Sequence, residues 1–263
     1  MTDLANVALI TGASGGIGSE LARVFAAKGH ALALVARDEA KMQALAKDIG
    51  VSGGRAPLVI GLDLAAPGAC LRLMQATRDA GVSVKTLVNN AGFGDLGPFA
   101  DAKSADILGM IDLNVRVLTE LTHGYLPEII AARGGILNVA SVAGFTPGPN
   151  MAVYYATKAY VVSFSEALHQ ELKAQGIAVT ALCPGPVATG FGARAGISSA
   201  MTKGAPMLSA AEVAKRGYDA LSVNRRIEAP GLADKFLVGL LNVLPNALLL
   251  PLIARVQSQR GAD

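Results

Sequence analysis

Six short runs of apolar residues, each but the last followed by a stretch with helical spacing, limit most strongly how this chain can fold. The runs are continuous rather than alternating with polar residues, a pattern typical of parallel strands that helices cover on both faces. The predicted strands are residues 7–10, 31–36, 57–62, 86–90, 135–141 and 177–183, and the predicted helices are residues 16–28, 39–49, 66–79, 104–132 and 154–175. Because crossovers between parallel strands are right-handed, the pattern predicts an α/β fold with a Rossmann-like, doubly wound parallel sheet. No linker, repeat or low-complexity tract interrupts it, so residues 1–263 are expected to form a single domain.

The composition excludes several classes of protein. With 52% hydrophobic and 16% charged residues, the chain is too apolar to be disordered. Its net charge of +3 is small and its basic residues are dispersed, so no nucleic-acid surface is expected. Cys70 and Cys183 cannot form a disulfide framework and no signal peptide is recognisable, which together indicate a cytoplasmic protein with reduced thiols. His30, His123 and His169 lack metal-ligand spacing, so no metal site is predicted.

A glycine-rich segment, TGASGGIG, joins the first predicted strand to the first predicted helix. Gly12, Gly16 and Gly18 give it the spacing G-x-x-x-G-x-G. Glycines in such a turn let backbone N–H groups approach a diphosphate, and the partial positive charge of the helix N-terminus attracts that group. Since the segment lies at the start of a βαβ unit, it predicts a dinucleotide site. No Gly-Lys-Ser/Thr sequence follows, so the segment is not a P-loop.

The end of the second predicted strand favours one dinucleotide over the other. NAD-binding proteins place a carboxylate there to hold the ribose 2′-hydroxyl, but this chain has Ala36 followed by Arg37. The guanidinium of Arg37 can bind a 2′-phosphate and the Ser14 hydroxyl can add a contact, so the sequence predicts NADP, with NADPH preferred over NADH. Asp38 is better placed as the N-cap of the next helix. The alternative is that Arg37 is only a solvated cation at the strand end.

Three side chains with reactive groups lie near the fifth predicted strand and the helix after it. Ser141 ends that strand, where its hydroxyl can polarise a carbonyl oxygen, and Tyr154 and Lys158 lie four residues apart in the sequence YYATK. That spacing places the phenol and the ammonium on one face of a helix, whereas Tyr155 points about 100° away. A tyrosine with its ordinary pKa of about 10 is a poor base at neutral pH. Its activation therefore needs nearby positive charge, which the ammonium and a cationic nicotinamide ring would provide.

Together these motifs resemble the short-chain dehydrogenase/reductase family of the TGxxxGxG and YxxxK type. The similarity extends from Thr11 to about Thr189, roughly two thirds of the chain. It is carried by TGASGGIG, Asp63-Leu64, the NNAG sequence at 89–92, Asn114, Ser141, Tyr154, Lys158 and the CPGPVAT sequence at 183–189. No element of the family pattern is missing, so the resemblance implies an active enzyme.

The resemblance also implies a role for each reactive residue. Tyr154 would be the general acid that protonates the carbonyl oxygen during reduction, and Lys158 would hold the nicotinamide ribose and lower the pKa of Tyr154. Ser141 would orient the substrate oxygen. Asn114 would position a water that links Lys158 to solvent, or else would only tie a helix to a loop. The implied cofactor-binding residues are Gly12, Ser14, Gly16, Ile17, Gly18, Arg37, Asp63, Leu64, Asn90, Ala91, Gly92, Tyr154, Lys158, Pro184, Gly185, Val187 and Thr189.

The function predicted from these features is reversible, NADPH-dependent reduction of a ketone or aldehyde. The segments 93–99, 145–151 and 187–207 are candidate pocket walls, and their largely apolar residues favour an apolar or acyl-type small molecule. The long loop 184–208 is interpreted as a substrate loop, with an ordinary surface connection as the alternative. A non-catalytic dinucleotide-binding regulator is the alternative function. A sugar-nucleotide epimerase or dehydratase is disfavoured by the glycine spacing and the chain length.

The last notable segment is an apolar C-terminal extension, residues 231–263. Residues 236–254 carry no charged side chain, and by length they would just span a bilayer. Pro245 and Pro251 interrupt the segment, and Pro245 predicts two short helices with the first ending near Leu244. We therefore predict that the segment is largely buried, against the sheet or at the interface of a soluble homodimer or homotetramer. Contact with a membrane is the less favoured alternative.

Overall fold

The computed structural model describes residues 5–196 and 207–260. Within these ranges the strands form one seven-stranded sheet in the order β3-β2-β1-β4-β5-β6-β7, and all of its pairs are parallel. The strands are β1 Ala5–Thr11, β2 Ala31–Ala36, β3 Leu58–Gly61, β4 Val82–Asn89, β5 Gly135–Val139, β6 Ala178–Leu182 and β7 Ile227–Glu228. The predicted α/β, Rossmann-like doubly wound sheet is confirmed. The seventh strand was not predicted, because two residues carry no periodic signal.

Helices cover both faces of this sheet. In the described ranges they are α1 Gly16–Ala27, α2 Glu39–Val51, α3 Ala69–Asp79, α4 Ser104–Ile111, α5 Leu118–Ala131, α6 Ala152–Leu172, α7 Gly190–Arg194, α8 Ala210–Ser222, α9 Leu232–Val243 and α10 Asn246–Arg260. Asp38 caps α2 as predicted, since its carboxylate accepts a hydrogen bond of 3.1 Å from the Lys41 backbone N–H. The sequence analysis missed α8, which Ser209 and Glu212 start with a reciprocal capping box.

Alternate residues of each central strand enter opposite layers of the core. In β1, Ile10 packs into a layer with Phe25 of α1, whereas Leu9 packs into the other layer with Tyr125 of α5. Both layers are apolar, so residues 7–10 of the strand are apolar on both faces. The two-sided burial therefore explains why the strands appear in the sequence as continuous apolar runs.

The predicted long helical region 104–132 is confirmed, since residues 104–131 are helical throughout, but the helix is not regular. A π-helical segment, Asp112–Val117, separates α4 from α5. The wider turn brings Asn114 into the interior, where its side chain contacts a neighbouring loop and α6. π-Helical turns commonly occur at functional sites, but their residues keep a helical pattern of apolar side chains, so the sequence does not reveal them.

The C-terminal extension forms two helices, as predicted, with α9 ending at Val243 just before Pro245. None of the described side chains of α9 is buried in the single chain, so α9 is not buried against the sheet, and its predicted burial at a subunit interface stays a prediction. Phe236 is 75% exposed and Val243 is 81% exposed, so one side of α9 is an uncovered apolar surface. Buried positions are found on α10, at Leu249 among others. Among the described residues, no helix is both long enough and apolar enough to cross a bilayer.

Candidate active site

The candidate site lies at the carboxyl ends of β1 and β4. These neighbouring strands form the topological switch point of the sheet, because the chain adds β2 and β3 on one side of β1 and the later strands on the other. Doubly wound sheets bind ligands in the crevice at this point. The Thr11 hydroxyl donates to the Val88 carbonyl at 3.2 Å and accepts hydrogen bonds of 3.0 Å from the backbone N–H groups of Asn90 and Ala91. The Asn90 amide donates to the Thr11 carbonyl at 2.8 Å. These bonds fix the two strand ends against each other. The position of Thr11 within the glycine motif was noted in the sequence, but its anchoring role was not foreseen.

The glycine-rich turn forms an open cradle next to this anchor. Gly12 and Gly16 have φ angles of +67° and +56°, which favour glycine. A Cβ atom on Gly18 would lie 2.3 Å from the Gly12 carbonyl oxygen, so α1 packs on the turn more closely than any side chain permits. The helix begins after Gly15 with no side-chain cap and no acidic residue in its first turn. Its first N–H groups therefore point to a site that fits a diphosphate.

The far end of the crevice carries exposed charge. Arg37 follows β2 and is exposed, and Asp63 is an exposed residue that follows β3, while the adjacent Leu64 is buried. Within the described part of the chain, no salt bridge pairs Arg37 with a carboxylate. A guanidinium in this place fits a ribose 2′-phosphate. Arg194 of α7 adds positive charge nearby: burial lowers its pKa first, and the charge of Arg37 lowers the pKa further.

Ser141, Tyr154 and Lys158 come together at the adjacent carboxyl end of β5. All three are buried. The Lys158 ammonium donates to the Val139 carbonyl at 2.8 Å and lies 5.8 Å from the centroid of the Tyr154 ring. The Ser141 hydroxyl accepts a hydrogen bond of 3.1 Å from the Ala143 N–H. The structure thus places the three predicted reactive side chains in one cluster.

Burial dominates the acid–base properties of this cluster. It raises the pKa of Tyr154 to about 12, and a hydrogen bond with the Ser141 hydroxyl acts weakly in the opposite direction. Burial also lowers the pKa of Lys158 to about 8. In the chain alone the pKa of Tyr154 is therefore raised, not lowered as the motif implies. The phenol is therefore protonated at neutral pH and can donate a proton, as reduction of a carbonyl group requires.

Asn114 connects three elements of the site. Its amide donates to the Phe93 carbonyl at 2.9 Å and to the Thr157 hydroxyl at 3.1 Å, and its carbonyl oxygen accepts from the Phe93 N–H at 3.1 Å. A Cβ atom on Gly92 would lie 2.9 Å from that oxygen and 3.7 Å from the Lys158 ammonium nitrogen. The side chain is thus a tie between the loop after β4 and α6. Its predicted role in positioning a water stays a prediction.

The segment after β6 folds back over the crevice. Thr189 caps α7 and lies against the glycine turn. A Cβ atom on Gly16 would be 3.3 Å from the Cβ atom of Thr189. The Phe191 ring is 5.4 Å from the Tyr154 ring, and the Leu96 N–H donates to the Ala195 carbonyl at 3.0 Å. Pro184, Gly185 and Val187 lead from β6 into this segment. Residues 197–206 of the predicted substrate loop, and 261–263 of the extension, lie outside the described residues.

Apolar side chains surround the reactive cluster. Tyr154 packs with Met110, Ala143 and Met151, and partly buried residues line the same cluster: Phe93, Leu96, Val153, Tyr155 and Phe191. Phe99, within a predicted wall segment, is instead 63% exposed. Sequence reasoning also missed Gln257, whose side chain reaches Tyr155 from a distant part of the chain, and no local pattern indicates that contact. In the described residues, no group of three or more His, Cys, Asp or Glu side chains is arranged to hold a metal.

Dinucleotide-dependent oxidoreductases of the α/β class are the proteins that this fold and site define. Residues 6–199 match the family model described as short chain dehydrogenase. The chain belongs to this family, whose members act on CH–OH and C=O groups.

Three similar proteins illustrate the range of relatives. Sulfoacetaldehyde reductase from Chromohalobacter salexigens is 36% identical over 80% of this chain and 85% of its own. A short-chain dehydrogenase from Sphingobium yanoikuyae in complex with NADPH is 32% identical, with a TM-score of 0.78 over 92% of this chain and 97% of that one. A bulky-bulky ketone specific alcohol dehydrogenase from Comamonas testosteroni is 30% identical, with a TM-score of 0.74 over 94% of this chain and 97% of that one.

Proposed function

We propose that this protein reduces a ketone or aldehyde to an alcohol with NADPH, and catalyses the reverse reaction with NADP. The observation that carries the proposal is the cluster of Ser141, Tyr154 and Lys158 beside the glycine cradle. A protonated phenol, a hydroxyl and an ammonium there can bind and protonate a carbonyl oxygen. A non-catalytic regulator would not need this buried and costly arrangement of polar groups.

The proposed roles follow from the geometry. NADPH, when bound, supplies the hydride that adds to the carbonyl carbon. The Ser141 hydroxyl donates a hydrogen bond to the carbonyl oxygen and orients it. Tyr154 transfers its phenolic proton to that oxygen as negative charge develops there, and the Lys158 ammonium stabilises the phenolate that remains. Asn114 holds the loop of Gly92 and the helix of Lys158 in register.

NADP is the proposed cofactor because Ala36 supplies no carboxylate for NAD and is followed by Arg37, with Arg194 adding positive charge nearby. The glycine cradle holds the diphosphate, and Asn90, Ala91, Gly92 and the segment that begins at Pro184 line the remainder of the cleft. The NADPH complex of the Sphingobium relative supports this choice.

We further propose an apolar carbonyl compound as substrate, since apolar side chains surround Tyr154. The Comamonas relative, specific for bulky ketones, supports a substrate of this type. An acyl-type carbonyl compound fits the same surroundings. A cytoplasmic location and a homodimer or homotetramer complete the proposal, the latter because of the exposed apolar face on α9.

The substitution Tyr154→Phe tests the proposal. It removes the proton donor but keeps the ring, so we expect turnover of a reactive ketone to fall by about 10²–10⁴-fold, as for loss of a general acid. NADPH affinity, measured by fluorescence titration, is expected to stay within about twofold, because one hydroxyl is a small part of the contacts with a dinucleotide.

Tyr160→Phe is the matched control, because it removes a hydroxyl from the same helix α6 at a position that bonds to Thr119 on the outer surface. It is expected to retain full turnover. A Tyr154→Phe protein that is folded and nearly as active as the wild type would refute the proposed function.

A further inference from the structure

Both C-terminal helices contact residues next to the reactive cluster. On one side, α9 packs against the short turn Val142–Phe145 that follows Ser141. The Asp234 carboxylate of α9 lies so close to Gly185 that a Cβ atom there would be 2.2 Å from its oxygen. The same carboxylate accepts a hydrogen bond of 3.0 Å from the Gly231 N–H and thereby starts the helix. Helix α9 is thus fixed beside the end of β6.

On the other side, α10 reaches the residue next to the reactive tyrosine. The Gln257 amide donates to the Tyr155 hydroxyl at 2.6 Å, across 102 positions of sequence. Gln257 is a polar residue only 2% exposed, and the bond that it makes with Tyr155 is partly buried. A buried amide that loses its partner pays a desolvation penalty, so the bond is a defined attachment point for α10.

Tyr155 is itself held firmly in place. Its ring covers Gly148 so closely that a Cβ atom on that glycine would lie 2.3 Å from the ring, and its centroid is 6.2 Å from that of Tyr154. The residue also joins the apolar cluster around Met151 and Tyr154. A movement of α10 would therefore reach the wall of the site through Tyr155.

We propose that α9 and α10 form a wall of the substrate site and that the Gln257–Tyr155 hydrogen bond latches this wall to α6. The proposal rests on the proposed function and refines it: Gln257 and Tyr155 are positioning residues that set the size of carbonyl compound the site admits. With the latch closed, the wall limits the room beside Tyr154. With the latch broken, α10 moves outward, larger ketones enter more easily and small ketones are held less well.

The test compares a small aryl ketone, acetophenone, with a bulky one, benzophenone, in the full chain with NADPH. In Gln257→Leu and in Tyr155→Phe, we expect the ratio of kcat/KM for benzophenone to that for acetophenone to rise about three- to tenfold, the range for one hydrogen bond. The change is expected in KM rather than in kcat, because Tyr154 and Lys158 are intact. The double variant is expected to match the single variants, because both remove the same bond.

Gln75→Leu and Tyr160→Phe are the controls, since both alter residues with partners elsewhere on the surface. They are expected to leave the ratio unchanged. Equal proportional losses for both ketones in the latch variants, or no change, would overturn the proposal, because general destabilisation does not discriminate by substrate size.

A second measurement separates this proposal from the proposed function. Trypsin cleavage after Arg255, an exposed residue of α10, reports attachment of the helix without any substrate. We expect cleavage to be faster in both latch variants, and an unchanged rate overturns the latch. If the latch variants are cleaved faster than the wild type but the wild-type protein reduces no ketone or aldehyde, the proposed function is contradicted and the latch is not.

Discussion

Arg37 is the side chain on which the proposed choice between two cofactors that differ by a single phosphate depends. The residue is exposed at the end of β2, and the preceding Ala36 offers no carboxylate to repel a phosphate. A bidentate guanidinium–phosphate contact is geometrically specific, and lysine would not reproduce it. The proposed preference for NADPH therefore depends on this residue more than on the shape of the fold.

We predict that Arg37→Ala reduces the affinity for NADPH by about ten- to a hundredfold, the value of a charge-assisted hydrogen bond of about 1.5–3 kcal/mol. NADH affinity is expected to change little, because NADH lacks the 2′-phosphate. Fluorescence titration with both reduced cofactors measures the effect. A wild-type protein that binds both equally, or a preference that survives the substitution, would show that Arg37 is only a surface cation.

The two shifted pKa values predict the pH dependence of reduction. Tyr154, with its pKa raised to about 12, stays protonated throughout the neutral and mildly alkaline range. Lys158, with its pKa lowered to about 8, loses its charge as the pH rises through that value. We therefore expect kcat/KM for ketone reduction to be level below about pH 8 and to decline above it as the ammonium disappears. Lys158→Arg, which keeps its charge, is expected to be slower but to lack that decline. A decline already complete by pH 7 would rule out Lys158 as its source.

The reactive pair and its surroundings differ in how well the sequence predicts them. Tyr154 and Lys158 are four residues apart, and helix geometry alone places them on one face. Gln257 is 102 positions from its partner Tyr155, so only the tertiary structure brings the two together. The direction of the Tyr154 pKa shift was also unpredictable from the motif, because desolvation depends on packing by segments far apart in the chain.

At the scale of the element, the turn between β1 and α1 combines two separate uses of glycine. Gly15 is open, with no other atom within 4 Å of a Cβ built on it, whereas Gly18 packs directly on the carbonyl of Gly12. The open position leaves room for a ligand, and the crowded one lets the helix approach the strand. Gly18 belongs to the G-x-x-x-G-x-G motif and Gly15 does not, but the structure is needed to show what each position does.

We predict that Gly18→Ala destabilises the protein by about 1–3 kcal/mol, as expected for a side chain forced into a filled space. The measured quantity is the free energy of unfolding in urea, together with NADPH affinity, which is also expected to fall. Gly15→Ala is the matched control, since its φ of 173° is ordinary extended backbone and its Cβ would meet nothing. Equal stability of the two variants would contradict this account.

Element boundaries show where sequence reasoning is sufficient and where it fails. The first six strands were recognised because burial on both faces makes them continuously apolar. The π-helical segment between α4 and α5 was not, since a π-helical turn changes hydrogen bonding without changing composition. The prediction of two C-terminal helices succeeded because Pro245 cannot continue the first one.

At the scale of the whole molecule, one surface is unusually apolar. Leu232, Phe236 and Val243 lie along one side of α9 and are all more than 70% exposed, and Leu248 and Leu252 of α10 are also exposed. Pro245 predicted that these are two helices, but the sequence did not show which of their residues face the core. An apolar area of this kind favours association with another surface.

We predict that the protein is a homodimer or homotetramer that covers this face. Light scattering after size-exclusion chromatography measures the mass, and Phe236→Ser combined with Val243→Ser is expected to shift it toward the monomer. Val51→Ser is the control, because Val51 is 82% exposed on α2, away from α9. A wild-type protein that is a uniform monomer would exclude this interface.

The order of these parts along the chain matters for how such proteins diversify. The glycine cradle, Arg37 and the cluster of Ser141, Tyr154 and Lys158 all lie before the end of β6 at Leu182. The helices that contact this cluster or its neighbours, α7 and the α9–α10 pair, come later in the chain. Duplicated copies can therefore accumulate substitutions in the last third of the sequence and acquire new substrates while inheriting the chemistry unchanged.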